Sequence, residues 1–187
     1  MKSYLLIFSL FTSTLNLSLA QTEPLPCVSK DGFFKAEFNL MGSNMNGFLA
    51  VKQKSNHVLH VAFTSPMGNN LLEMKWKKGK WKRKFAIKKL KNKKLFQMLS
   101  EDILLLFSYQ QYDKGFEDLG NKWKWNKKTL TPKFDNDGKL LSVRIITKRH
   151  RPSKTVKYNY DGICVSKMSI DYQGFPFSIV LEPLEKN

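Results

Sequence analysis

The chain has 187 residues, with 32 Lys or Arg against 15 Asp or Glu and a formal net charge of +17 at pH 7. Its 42% hydrophobic content is enough for a core, which excludes a disordered polybasic tail, and its length is that of one domain. A balance this basic points to anionic partners such as lipid headgroups, lipopolysaccharide phosphates or nucleic acid, or else to a lysine-rich solvated surface.

Met1-Lys2 is followed by an apolar run from Tyr4 to Leu19, and Ser18-Leu19-Ala20 places small residues at −3 and −1 of a cut. This is the pattern of a secretory signal peptide over residues 1–20, cleaved before Gln21. The run contains Ser9, Thr12, Ser13, Thr14 and Asn16 and falls short of the roughly 20 apolar residues of a membrane span. Pro24-Leu25-Pro26 before Cys27 does not suit lipoprotein processing. Residues 21–187 then form a single domain, and export argues against nucleic acid as the partner. Two cysteines, Cys27 and Cys164, read as one long-range disulfide, worth about 4–5 kcal/mol in the chain-entropy model; two unpaired buried thiols are the alternative.

From Phe33 onward the apolar period is two, the mark of half-buried strands. Phe34, Ala36, Phe38 and Leu40 alternate with polar residues before the turn at Met41-Gly42-Ser43-Asn44, and Leu49 and Val51 continue on a second strand. A third strand carries Leu59, Val61 and Phe63 on one face, then turns at Pro66-Met67-Gly68-Asn69-Asn70 into Leu72, Met74 and Trp76. Lys78-Gly79 turns the chain again into Trp81, Arg83, Phe85 and Ile87. Between Leu95 and Phe107 the period changes to three or four, with Leu95, Leu99, Ile103 and Leu106 on one stripe, which predicts an amphipathic helix. Ser100-Glu101-Asp102 interrupts that stripe and is expected to face solvent, or to cap a shorter helix from Ser100. Gly115 to Lys128 reads as a loop or a weak edge. Strands resume over Leu130 to Phe134 and Leu141, Val143 and Ile145, joined by a strong hairpin signal at Asn136-Asp137-Gly138. Val156, Tyr158 and Tyr160, then Ile163 and Val165, then Phe175, Phe177, Ile179 and Leu181 complete the series.

A sheet of about 10–11 consecutive antiparallel strands is too long to stay flat, and one helix cannot cover it unless it curls. The predicted fold is mainly β (α+β): an incomplete antiparallel barrel, or strongly curved sheet, with a helical lid on its concave face. Space left between lid and sheet would be an apolar ligand cavity. The inward positions Phe38, Leu59, Val61, Phe63, Leu72, Met74, Trp76 and Phe85, with Leu99 and Ile103 from the helix, are its expected lining.

Hydrolytic signatures such as Gly-x-Ser-x-Gly, Ser-x-x-Lys and His-Glu-x-x-His are absent from the sequence. His57, His60 and His150 are scattered, and Glu101-Asp102 and Glu117-Asp118 are sequence neighbours better suited to capping or solvation. No catalytic group, cofactor or metal is assigned, and the expectation is a non-enzyme. Twelve Lys or Arg and no acid lie between Lys75 and Lys94. Lys82, Lys84 and Lys88 are expected on the outer surface, with Arg83 on the inner side. Their interleaving with Trp suits an anionic membrane surface, and equally a solvated strand face that discourages edge pairing.

The stretch His60-Val-Ala-Phe-Thr-Ser-Pro-Met-Gly-Asn-Asn-Leu-Leu-Glu-Met74 resembles the apolar strand, Pro-Leu-Gly turn and alternating strand of LolA/LolB-type proteins, closest to the LolB-like members. The resemblance implies a half β-barrel under a helical lid, a cavity for lipoprotein acyl chains, and chaperone-like lipoprotein transport in the periplasm, with the outer membrane as a peripheral station. It implies an acylated lipoprotein or lipid as partner, a LolA-like or inner-membrane protein as a second, and a monomeric state. The family's protruding apolar turn residue maps onto Met67, which suits contact with a membrane or simply covers a loop. A LolB proper is anchored by a lipid, and this chain shows no lipobox, so a soluble carrier is the implied variant. Electrostatic docking on anionic lipid or lipopolysaccharide, without a cavity, is the alternative function.

Overall fold

The computed structural model describes residues 31–55, 57–113, 115–146 and 153–184. The signal peptide, Cys27 and His150 lie outside these. Five strands come first: β1 (Asp31–Leu40), β2 (Ser43–Ser55), β3 (Val58–Thr64), β4 (Asn70–Lys77) and β5 (Lys80–Ala86). A 3-10 turn (Lys88–Leu90) leads into the helix α1 (Lys93–Leu106), and a second turn (Tyr109–Tyr112) leaves it. Seven strands follow: β6 (Phe116–Asp118), β7 (Trp123–Trp125), β8 (Lys128–Phe134), β9 (Leu140–Ile146), β10 (Lys154–Asp161), β11 (Cys164–Tyr172) and β12 (Phe177–Pro183).

All 12 strands form one antiparallel sheet in the order β5-β4-β3-β2-β1-β12-β11-β10-β9-β8-β7-β6. Every neighbour is a hairpin partner except β1 and β12, which pair in the middle from Phe34 opposite Pro183 to Leu40 opposite Phe177. The sheet does not close, since β5 and β6 are its two free edges. The stretch from Gly115 to Lys128 supplies two three-residue strands, β6 and β7, which form the weak edge.

Curvature follows from what the helix touches. Ser100 on α1 reaches Met74 of β4, and its neighbour Glu101 reaches Lys128 of β8. On a flat sheet those strands, eight steps apart in the order, would stand about 38 Å from each other at about 4.8 Å per strand. A helix of 14 residues is only about 21 Å long. The sheet therefore wraps around α1, with the helix on its concave face. The alternating positions Phe34, Ala36 and Phe38, with Leu59, Val61 and Phe63, are buried against it as the period of two requires.

Two local readings of the sequence are corrected. Phe85 does not face inward, because the pairing of β4 with β5 shifts register between Glu73 and Met74. Arg83 sits opposite Met74 on the inner face, Lys84 is the extra residue of the bulge, and Phe85 falls opposite Glu73 on the outer face, 44% exposed. Ser100 and Asp102 neither face solvent nor start the helix: both are buried inside α1, and Asn92 caps it, its Oδ1 accepting from the backbone N–H of Lys94 and Leu95.

Candidate functional site

The seat of α1 is polar at its centre. Asp102 is 0% exposed and pairs with the Lys154 ammonium of β10, while the Tyr172 hydroxyl of β11 donates to the same carboxylate at 3.0 and 2.9 Å. Burial pushes the Asp102 carboxyl up, and Lys154 and Tyr172 oppose that push. Glu101 pairs with Lys128 of β8, and Tyr158 of β10 donates to the Leu105 carbonyl at 2.7 Å. At the other end of the element, Tyr109 packs edge-to-face on Trp76, ring centroids 5.1 Å apart, and its hydroxyl donates to the Ser55 carbonyl.

Three of these anchors are tyrosines whose phenols burial pushes up: Tyr109 to about 12, with Tyr158 and Tyr172 also raised. The raised folded value fixes the sign. An unfolded tyrosine loses its proton near pH 10.0, whereas folded Tyr109 holds it to about 12, so this contribution is complete below pH 10 and lost as pH rises through 12. In an alkaline titration, tyrosinate absorbance belonging to these residues is expected to rise together with loss of the β circular dichroism signal. Full tyrosine ionisation near pH 10 on an intact fold would contradict this seating.

An open cavity of about 570 Å³ lies at the start of α1. Because successive strands reverse direction, the β1–β2 turn at Met41-Gly42, the β3–β4 turn around Met67 and the β11–β12 turn before Phe177 share one end of the sheet. At that same end β5 delivers the chain to α1. Leu40, Met45, Leu95, Met98, Phe175 and Phe177 form the apolar wall. Ser43, Lys89, Asn92 and Lys94 complete the lining, and Met41 sits in it with 69% of its surface exposed. Met41 (φ 51) and Gly42 (φ 82) are the two central residues of a type I′ hairpin turn, where Asn or Gly is the favoured first residue. A methionine held there in the left-handed region is a local conflict that packing does not explain, since the side chain is mostly in solvent. Arg83 fixes the neighbouring segment: its Nη1 donates to the Lys91 carbonyl at 2.7 Å and its guanidinium lies 5.2 Å from the Phe96 ring centroid.

The volume is that of a small-molecule pocket, typically about 300–1,000 Å³. Three methionines, Met41, Met45 and Met98, give the lining unbranched, adaptable side chains suited to a flexible chain.

None of the expected lining residues is part of this cavity. Phe38, Leu59, Val61, Phe63, Leu72, Met74, Trp76, Leu99 and Ile103 are all in the packed core between sheet and helix, and Phe85 is on the outer face. Lys82, Lys84 and Lys88 are exposed, and Met67 is 89% exposed at its turn. His60 is on the outer face of β3 between Lys52 and Lys75, and burial with Lys75 lowers its pKa. Cys164 opens β11, while its expected partner Cys27 is outside the described residues. Among the described residues no helix is long and apolar enough to cross a membrane.

Fold and site together define an open antiparallel half-barrel wrapped on one helix, with an apolar cavity at one end. No family model matches the chain, and no curated protein matches it in sequence. Among solved structures it is similar to the LolA superfamily protein NE2245 from Nitrosomonas europaea, with 8% identity and a TM-score of 0.49 over 87% of this chain and 88% of that one. It is also similar to a DUF1329 family protein from Desulfovibrio piger, with 13% identity and a TM-score of 0.38 over 85% of each chain.

Proposed function

We propose that this protein is a carrier or acceptor of acylated or lipid-like cargo in the bacterial envelope, and that it lodges an acyl chain in the cavity at the start of α1. The observation that supports it is the cavity itself: about 570 Å³, walled by Leu, Met and Phe. Each buried methylene contributes about 0.8 kcal/mol, so a chain of modest length gives useful affinity without any reacting group. The resemblance of His60 to Met74 to the LolA/LolB hairpin agrees with this reading, as does the exposed Met67 at the cavity's end of the sheet. Export with loss of residues 1–20, and a bond between Cys27 and Cys164, belong to the same proposal.

Electrostatic attachment to an anionic membrane is the second reading. It is favoured by the position of Lys88, Lys89, Lys91, Lys93 and Lys94, all exposed at the end of the sheet that also carries Met41 and Met67. In a combined form of the two readings, that end docks and the cavity exchanges cargo with the bilayer.

A neutral fluorescent acyl probe tests the carrier reading. Saturable binding at one site per chain is expected, it should persist at high salt, and filling the cavity with Met45→Trp should weaken it by about tenfold, equivalent to about 1.4 kcal/mol. Probe uptake that vanishes at high salt would favour surface docking alone. Absence of saturable binding would end the carrier proposal.

A further inference from the structure

We infer that the cavity takes a single-chain amphiphile with an anionic head, a carboxylate or a phosphate monoester, held at the mouth by Lys89 and Lys94. This rests on the acyl-binding reading and narrows it from an apolar chain to a charged class of ligand.

The lining contains two charged residues, both lysines, and no acid. Among the described residues neither Lys89 nor Lys94 has an anionic partner, whereas Lys35, Lys124, Lys128, Lys154 and Lys167 each pair with a carboxylate. The chain has few acids to spare, yet it distributes them along the sheet and leaves these two ammonium groups beside apolar wall. Asn92 adds to the asymmetry. Its Oδ1 already accepts from Lys94 N at 2.9 Å and Leu95 N at 3.2 Å, so the amide NH2 is what it has left to offer. The polar groups left at the mouth are then two ammonium groups, an amide donor and the Ser43 hydroxyl. Such a set satisfies an oxyanion and gives an ester carbonyl less, and it repels a cationic head.

Leu95 and unbranched Met98 lie about one and nearly two helical turns beyond Asn92 and continue the lining along α1. A head at Lys89 and Lys94 therefore leaves a path for one apolar tail along α1 toward Phe175 and Phe177. The mouth also explains the turn chemistry of Met41, whose exposed side chain would close over the first methylenes of a bound tail.

Calorimetric titration of the full mature chain with decanoate, decyl phosphate and methyl decanoate, each below its aggregation limit, separates head from tail. At low salt at least one of the two anions is expected to bind about tenfold more tightly than the ester, a ratio within reach of two partly exposed lysines. The ratio should fall to near one in the Lys89→Gln/Lys94→Gln variant, with the circular dichroism spectrum intact. Equal affinity for all three ligands, or a ratio that survives in that variant, would overturn the assignment of the head while leaving acyl binding in place. Failure of all three to bind would overturn both.

Discussion

Lys154→Ala is expected to lower the free energy of unfolding by about 3–5 kcal/mol, because it strands a buried carboxyl on α1 without its cation. Asp102 is 0% exposed, so the carboxylate left behind is not solvated where it stands. Against a total stability of about 5–15 kcal/mol for a domain, this is enough to bring the chain near its limit. An apolar replacement of the whole cluster, Asp102→Leu with Lys154→Met and Tyr172→Phe, should recover most of the deficit or exceed the parent, since the desolvation cost of the ions disappears with them. Urea unfolding of the three proteins reads both outcomes. A Lys154→Ala change within about 0.5 kcal/mol of the parent would mean that the pair contributes nothing to holding the helix.

The second large effect separates two adjacent residues of α1. Leu99→Glu places a carboxylate at a position 1% exposed, inside the packed face between helix and sheet, and several kcal/mol of destabilisation are expected. Met98→Glu places the same group in the cavity wall, half-buried, so the fold should persist while affinity for a neutral acyl probe falls by about tenfold or more. Thermal unfolding and probe titration on both variants give a crossed pattern. If Met98→Glu bound the probe as well as the parent, the cavity would not be the acyl site. Loss of binding in Leu99→Glu reports unfolding rather than a lost ligand contact.

That contrast also marks what can be read from the chain. The core strands were legible because their period of two is unbroken: Phe34, Ala36 and Phe38 on β1 and Leu59, Val61 and Phe63 on β3 alternate without interruption and are buried. Curling was legible from the ratio of strands to helices. Phe85 was not, because a single extra residue at Lys84 reverses the parity of everything after it, and a bulge set by pairing leaves no mark on periodicity. Asp102 was missed for a different reason. A polar residue on an apolar helical stripe looks like an interruption until its cation is known, and that cation, Lys154, lies 52 residues away. The cavity escaped because it is built at the ends of strands. Inward positions in mid-strand such as Leu59 and Val61 belong to the buried core, and the opening is lined by turn residues and the first turns of α1, where the hint was methionine in a turn that favours asparagine, Met41 before Gly42.

The outermost strand, β5, presents Lys80, Lys82 and Lys84 along its length and carries the bulge beside β4. An open sheet is an invitation to further growth, since its last row of amide and carbonyl groups can recruit another chain. Here a second copy aligning its own β5 against this edge would bring like-charged ammonium groups together on a backbone kinked out of register. The molecule thus keeps an unclosed wall while guarding its β5 edge against pairing with itself, a protection that added salt would weaken.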